Sequence, residues 1–193
     1  MSLQGFGGPQ VLQVKAATLR GDAQHFGVVA RLLHGITPVL LIGSFGLVWG
    51  LSWLPVGADR VQAVSLHRTI GIVVLGLSLI RLVWRLFDRR PTRTGSPALR
   101  RGAAVVHACL YAILIAIPLL GWIYTNTRGH KLTILGASLP SLTVKDEYFS
   151  RVSITVHEWL AYTLLALVAA HVAAALWHHF VLRDGMLKRM WRF

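Results

Sequence analysis

Four long apolar stretches limit what this chain can fold into. They cover residues of about 32–53, 65–87, 103–124 and 154–180, and each supplies the roughly 20 apolar residues that a helix needs to cross a bilayer core. Because lipid offers no partner to an unpaired backbone group, such stretches cross as helices unless they close a barrel. The sequence therefore predicts an all-α membrane protein whose fold is a four-transmembrane-helix bundle.

The composition agrees with this fold class. Only 14% of the 193 residues are charged and 54% are hydrophobic, whereas about 25% of the residues of a soluble domain carry charge. The four stretches leave little room for a separate soluble domain, so residues 28–193 are predicted to form one membrane domain. Residues 1–27 contain no apolar core of a cleavable signal and are predicted to be a loose cytoplasmic tail.

The basic residues indicate how the bundle is oriented. The chain has 20 Lys and Arg residues and a net charge of +13. Fourteen of them fall on the side of the two termini: Lys15, Arg20, Arg31, Arg81, Arg85, Arg89, Arg90, Arg93, Arg100, Arg101, Arg183, Lys188, Arg189 and Arg192. The other six are Arg60, Arg68, Arg128, Lys131, Lys145 and Arg151. The positive-inside rule then places both termini in the cytoplasm. No basic face or binding motif accompanies these charges, so a nucleic-acid partner is not expected.

Histidines inside the apolar stretches are the candidate functional residues. His157 and His171 lie fourteen residues apart in one stretch, which on a helix is about 21 Å along the axis and only about 40° around it. Alternating helix directions bring His67 to the depth of His157, near the outer face, and His34 to the depth of His171, near the inner face. Each pair can supply both axial nitrogens of a haem iron.

Other residues leave alternatives open. His107 also lies at the inner depth and competes with His34 as a ligand. Gly71 follows His67 by one turn and would let a flat macrocycle approach, although small residues also serve helix packing. Arg68 can either bind a haem propionate or reach toward lipid headgroups.

Three further residues have simpler interpretations. His178 shares the face of His171 nearer the inner surface and is expected to meet headgroups. Glu158, the only acid within a stretch, can order the adjacent imidazole, carry a proton or cap the first turn of its helix, and the cap is the expected role. Cys109 is the only cysteine, so there is no motif for covalent haem attachment and any haem is held non-covalently.

An ordered set of short segments resembles the bacterial cytochrome b561 family, the di-haem, four-helix type, over about residues 28–190. The segments are Arg31-Leu-Leu-His34, Ser65-Leu-His67-Arg68-Thr-Ile-Gly71, Pro118-Leu-Leu-Gly121, Asn126-Thr-Arg128-Gly129, His157-Glu158-Trp-Leu-Ala161 and His171-Val-Ala-Ala-Ala-Leu-Trp-His178-His179. The resemblance implies that His34, His67, His157 and His171 are the haem ligands, which selects His34 over His107.

The resemblance also carries functional expectations. It implies two haem b groups in a multi-pass protein of the bacterial inner membrane. It implies an oxidoreductase similar to superoxide oxidases, with superoxide or another periplasmic donor on one side and ubiquinone as acceptor. Two alternatives are a membrane anchor and electron conduit for a partner dehydrogenase or hydrogenase, and a histidine-lined transporter or proton pathway without haem.

Overall fold

The computed structural model describes residues 19–22, 25–88, 96–134 and 136–190, and these form a helical bundle. The four long helices are α1 (Val28–Gly50), α2 (Ala58–Phe87), α3 (Pro97–Thr127) and α4 (Glu147–Trp177). Each is long and apolar enough to cross a membrane. The predicted fold class, an all-α membrane protein with four spanning helices, is confirmed.

All four helices begin four to seven residues earlier than hydropathy alone predicts, and polar caps outside the apolar stretches account for two of these starts, those of α3 and α4. Asp146 accepts a hydrogen bond at 2.8 Å from the Phe149 N–H, which satisfies one of the free donors at the start of α4. Ser96 does the same for Leu99 at 3.4 Å, at the start of α3. Since α4 starts at Glu147, Glu158 lies about three turns inside the helix. The prediction that Glu158 caps the first turn is therefore wrong.

The loop between α3 and α4 forms a compact cap on what we call the outer end of the bundle. It contains a small antiparallel ladder of β1 (Thr133–Ile134) and β2 (Ala137–Ser138). Asn126, which is only 3% exposed, donates to the His130 carbonyl at 3.0 Å and accepts from the Leu142 N–H at 2.9 Å. One buried amide therefore ties both ends of the loop to α3.

The opposite end, which we call the inner end, gathers the beginning and end of the described chain. The Phe26 N–H donates to the Arg189 carbonyl at 3.2 Å, and the Gly21 N–H donates to Asp88 at 2.9 Å. Both described termini therefore share one end of the bundle, and the cytoplasmic location of that end stays a prediction. Most of the predicted tail and five of the counted cations, Lys15, Arg89, Arg90, Arg93 and Arg192, lie outside the described residues.

The last helix changes character where it leaves the bundle. A π-helix, His178–Leu182, continues α4 and leads to the short helix α5 (Met186–Met190). His178, expected to meet headgroups, donates instead from Nδ1 to the Asp184 carboxylate at 2.6 Å. Burial acts to raise the pKa of Asp184, but hydrogen bonds from the Met186 N–H and from His178 outweigh it, so the pKa lies below its usual range.

The helices pack in chain order, α1 on α2, α2 on α3 and α3 on α4. Their core lies at mid-depth, where Val74, Leu114 and Leu164 are buried together. Many large apolar side chains are exposed instead; Ile42, for example, is 73% exposed. Such an apolar outer surface is the one that a lipid bilayer covers.

Candidate haem-binding sites

The outer pair of histidines lies at the separation that an axially bound iron requires. His67 on α2 and His157 on α4 have ring centres 6.3 Å apart, with the rings at 74° to each other. A metal–imidazole bond is about 2 Å long and the ring centre lies roughly 1.1 Å beyond the nitrogen, so two rings on one metal are about 6.2 Å apart. The two imidazoles are thus spaced to hold one metal between them.

Hydrogen bonds orient both outer rings. His157 Nδ1 is 2.9 Å from the Ile117 carbonyl oxygen, and because a carbonyl only accepts, the ring proton must be on Nδ1. Nε2 then keeps its lone pair for a metal. His67 Nδ1 is 2.9 Å from the Ser44 hydroxyl, which can accept in the same way. Histidines that bind metals almost always have their second nitrogen held like this.

Two glycines give the outer site its shape. A Cβ added to Gly121 would lie 3.3 Å from Cε1 and 3.4 Å from Nδ1 of His157, so the imidazole packs directly on the backbone of α3. A Cβ on Gly71 would meet nothing within 4 Å, because Gly71 borders an open cavity. The cavity is lined by both histidines and by Leu41, Ser44, Gly71, Val74, Leu114, Ile117, Pro118 and Leu164. Gly71 therefore leaves space beside the pair, which fits the first of the two roles that the sequence leaves open for it.

The inner end brings together three histidines. His34 on α1 and His171 on α4 have ring centres 6.3 Å apart at 73°, the same geometry as the outer pair. His107 on α3 lies closer to His171, at 5.3 Å and 81°, and its Nδ1 is 2.5 Å from the Ala103 carbonyl of its own helix. The wider separation suits an iron between His34 and His171, so the geometry favours His34 over His107.

Both pairs bridge helices that do not pack closely on each other. The closely packed neighbours are consecutive helices, whereas the histidine pairs join α2 to α4 and α1 to α4. A flat group can enter between helices only where their backbones stand apart. Within the described ranges, no group of three or more His, Cys, Asp or Glu side chains could hold a metal ion. The pairs therefore suit a metal that brings its own equatorial ligands, as haem iron does.

Arg81 is a site residue that sequence reasoning counted only as a topological charge. Its Nη2 lies 2.7 Å from His34 Nδ1, and its guanidinium carbon lies 5.4 Å from the centre of the Tyr111 ring. The available signal was its position inside an apolar stretch, where a cation usually marks function. Arg68, which the sequence did select, is partly buried beside His67 at the outer end and forms no ion pair among the described residues.

Comparison with known proteins identifies the family. Residues 25–193 match the sequence profile of prokaryotic cytochrome b561. Cytochrome b561 homolog 2 of Escherichia coli strain K12 is 28% identical over 175 residues, covering 86% of this chain and 91% of the relative. Cytochrome b561 homolog 1 of the same organism is 27% identical over 161 residues, 82% of this chain and 92% of the relative.

A third relative has a functional name. The probable superoxide oxidase CybB of Yersinia pestis is 30% identical over 129 residues, which is 65% of this chain and 72% of that protein. The profile match spans most of the chain, from the residues just before α1 to the C-terminus. Together with four membrane-spanning helices, it shows that the chain belongs to the prokaryotic cytochrome b561 family and is a multi-pass membrane protein that transfers electrons through b-type haem.

Proposed function

We propose that this protein is a two-haem cytochrome of the bacterial inner membrane that passes electrons from a periplasmic donor, with superoxide preferred, to ubiquinone. The observation that carries the proposal is the presence of two histidine pairs, His67 with His157 and His34 with His171, each with ring centres 6.3 Å apart. Haem supplies a centre that takes up and releases one electron at a time.

The protein's own contribution is to position and orient the ligands. α4 provides one imidazole to each pair, and the fourteen-residue spacing between His157 and His171 sets the two pairs about 21 Å apart along the helix. Between them lies the apolar core of Val74, Leu114 and Leu164, whose outer side lines the cavity beside His67 and His157.

The charge of the outer end supports an anionic donor. The cations Arg60, Arg128, Lys131, Lys145 and Arg151 are all exposed there, against the acids Asp59, Asp146 and Glu147. A net basic surface attracts a small anion and can raise its association rate by about 10-fold or more at low salt. The name of the Yersinia pestis relative, a probable superoxide oxidase, points to the same donor. Each superoxide loses one electron to become dioxygen, and ubiquinone gains two electrons and two protons, so two superoxide ions should yield one ubiquinol.

A haem count tests the two-site proposal. The purified protein should show a reduced b-type spectrum with two haems per chain, both extractable by acid acetone. His67→Ala should remove the outer haem and His34→Ala the inner one, with the same results for His157→Ala and His171→Ala respectively. His107→Ala is the matched control and should keep both haems. One haem per chain, or loss of haem in the His107 variant but not the His34 variant, would contradict the assignment.

A topology assay tests the orientation. A reporter fused after Phe193, which lies outside the described residues, should be cytoplasmic, and one placed within residues 130–145 should be periplasmic. The fourteen-to-six distribution of cations is the reason for this expectation. The reverse pattern would put the capped end of the bundle in the cytoplasm and would exclude a periplasmic donor at the His67–His157 pair.

Enzymatically generated superoxide tests the donor. Haem reduction and ubiquinol formation should be abolished by superoxide dismutase, and they should slow as ionic strength rises, because exposed charges are screened beyond about 10 Å at 0.1 M salt. Lys131→Glu or Arg151→Glu should slow reduction without removing haem. Arg101→Glu, an exposed cation at the inner end, is the control and should have little effect. If the rate of haem reduction changes neither with dismutase nor with ionic strength, superoxide is not the donor. That result would favour an electron conduit for a partner dehydrogenase or hydrogenase.

A further inference from the structure

Two arginines share one aromatic ring beside the inner histidine pair. The guanidinium carbons of Arg81 and Arg85 both lie 5.4 Å from the centre of the Tyr111 ring, and Arg81 also contacts His34. Cations stabilise such a ring contact, but a partly buried cation at the end of a membrane-spanning helix is costly without a counter-charge when water is scarce. The position of Arg81 therefore favours an anion nearby.

The part of the chain that the structure describes does not provide that anion to Arg81. Among the described residues, the recorded side-chain contacts of Arg81 are His34 and Tyr111. The protein has only seven acidic residues, and three of them belong to the inner end. Asp88 accepts from the Gly21 N–H, Asp184 from His178, and Asp22 from the His25 N–H. None of these three carboxylates contacts Arg81.

Two buried donors lie one turn nearer the inner end than the contact between Arg81 and His34. Arg31, three residues before His34 on α1, has a buried Nε without a hydrogen-bond partner among the described residues, and Trp84, three residues after Arg81 on α2, has a buried Nε1 in the same condition. Positions three apart lie on the same face of a helix. Buried polar atoms in proteins are almost always satisfied, so donors of this kind indicate an acceptor that the described residues do not supply.

The contact between Arg81 and His34 also decides which ring nitrogen can bind a metal. A guanidinium only donates, so His34 Nδ1 must accept at 2.7 Å, and the proton of the neutral imidazole is then on Nε2. His157 is the opposite tautomer: its Nδ1–H donates to the Ile117 carbonyl, and its Nε2 keeps the lone pair. For Nε2 of His34 to bond to iron, Arg81 has to leave Nδ1. A carboxylate beside the ring would draw Arg81 away from Nδ1, because arginine binds carboxylates through two parallel hydrogen bonds.

We propose that Arg81, with the buried donors Arg31 and Trp84, binds the propionate carboxylates of the haem held by His34 and His171, and that a propionate takes Arg81 from His34. The inference rests on the proposed two-haem function. A lipid phosphate has similar chemistry, but a headgroup lies at the membrane surface, whereas Arg81 reaches the ligand ring itself. Arg85 adds positive charge to the same site.

The experiment isolates the inner site and varies the ligand chemistry. The full-length His67→Ala chain, depleted of haem in detergent, is titrated with haemin and with haemin dimethyl ester while the Soret band is followed. The ester, which has lost both carboxylate charges, should bind about 10- to 100-fold more weakly, as expected for loss of hydrogen bonds to a charged group. Adding Arg81→Gln to the His67→Ala chain should weaken the binding of haemin by a similar factor, and haemin and its ester should then bind with equal affinity. Arg101→Gln, an exposed cation at the same end, is the matched control and should change neither.

Each other result counts against the inference. Equal affinity for acid and ester in the chain with Arg81 intact overturns it, and this comparison needs no folded Arg81 variant. If Arg81→Gln weakens both forms equally, Arg81 only positions His34. If the affinities for haemin and its ester still differ in the Arg81 variant, but the variant no longer retains anionic phospholipid in mass spectrometry, Arg81 binds a lipid phosphate and not a propionate. If the His67→Ala chain binds neither form while the His34→Ala chain binds haem, the two-haem proposal itself has failed.

Discussion

Gly121→Ala tests whether the outer site depends on close contact between an imidazole and the α3 backbone. The new methyl carbon would lie 3.3 Å from Cε1 and 3.4 Å from Nδ1 of His157, whereas carbon atoms attract best at about 3.5–4.0 Å. The ring must therefore retreat by a few tenths of an ångström. It would strain the 2.9 Å hydrogen bond to the Ile117 carbonyl and move Nε2 away from its position opposite His67.

Two effects of opposite sign determine the size of the change. Overpacking costs about 1–3 kcal/mol, while replacing glycine by alanine inside a helix stabilises it by roughly 0.5–1 kcal/mol. We expect the protein to remain folded and its affinity for the outer haem to fall by about 5- to 30-fold, which corresponds to one or two kcal/mol.

Haem transfer to apomyoglobin measures this change directly, since the rate of transfer reports how tightly each haem is held. One haem should leave Gly121→Ala faster than the wild type and the other should leave at the wild-type rate. Gly102→Ala, in the same helix but with nothing within 4 Å of its added Cβ, should hold both haems normally. Unchanged haem release in Gly121→Ala, or equal loss in both variants, would refute the idea that this glycine exists to admit the histidine.

Three further predictions concern single contacts. Ser44→Ala removes the hydroxyl that holds His67 and should lower outer-haem affinity by about 10- to 100-fold, the usual effect of losing the partner of a metal ligand; haem titration with unchanged affinity would show that the hydroxyl is dispensable. Gly71→Ala meets no protein atom within 4 Å, so the apoprotein should be at least as stable as wild type while haem binding weakens; intact binding in an equilibrium titration would mean that the macrocycle does not use this space. The Asp184 carboxylate has a lowered pKa, so it stabilises the fold above its unfolded pKa of about 4, and this stabilisation is lost as the pH falls through the folded value. Hydrogen exchange in α5 should therefore accelerate at acid pH in wild type and already at neutral pH in Asp184→Asn, and equal protection in both proteins would show that the contact with His178 does not hold α5.

The architecture and the histidine pairing follow from simple periodicity. Hydropathy locates four spans because a bilayer demands about 20 apolar residues from each. Helix rise then places His157 and His171 at opposite depths on one face. The alternating directions of the helices bring His67 to the depth of His157 and His34 to the depth of His171. This reasoning also predicts the partners His34 in α1 and His67 in α2, whose rings the structure places near those of His171 and His157. It could not choose between His34 and His107 without the family resemblance, because the choice depends on a difference of about one ångström in ring separation.

Other parts of the site depend on contacts that no local pattern records. The partners of His67 and His157 are Ser44 and the Ile117 carbonyl, 23 and 40 residues away in the sequence. A backbone carbonyl has no sequence signature at all. The early start of α4 was missed for a different reason, since its cap, Asp146, lies in a polar segment that hydropathy assigns to the loop.

The composition of α4 has a mechanical consequence. α4 (Glu147–Trp177) contains neither proline nor glycine, whereas α1 contains Pro38, α3 contains Pro118, and α2 contains two glycines. Since sharp bends in helices arise at such residues, α4 is the stiffest rod in the bundle, and it carries one histidine of each pair. Helix rise therefore fixes the spacing between His157 and His171. In the proposed two-haem protein, a shift of α1, α2 or α3 would change the geometry of one site without changing the spacing of the two ligands on α4.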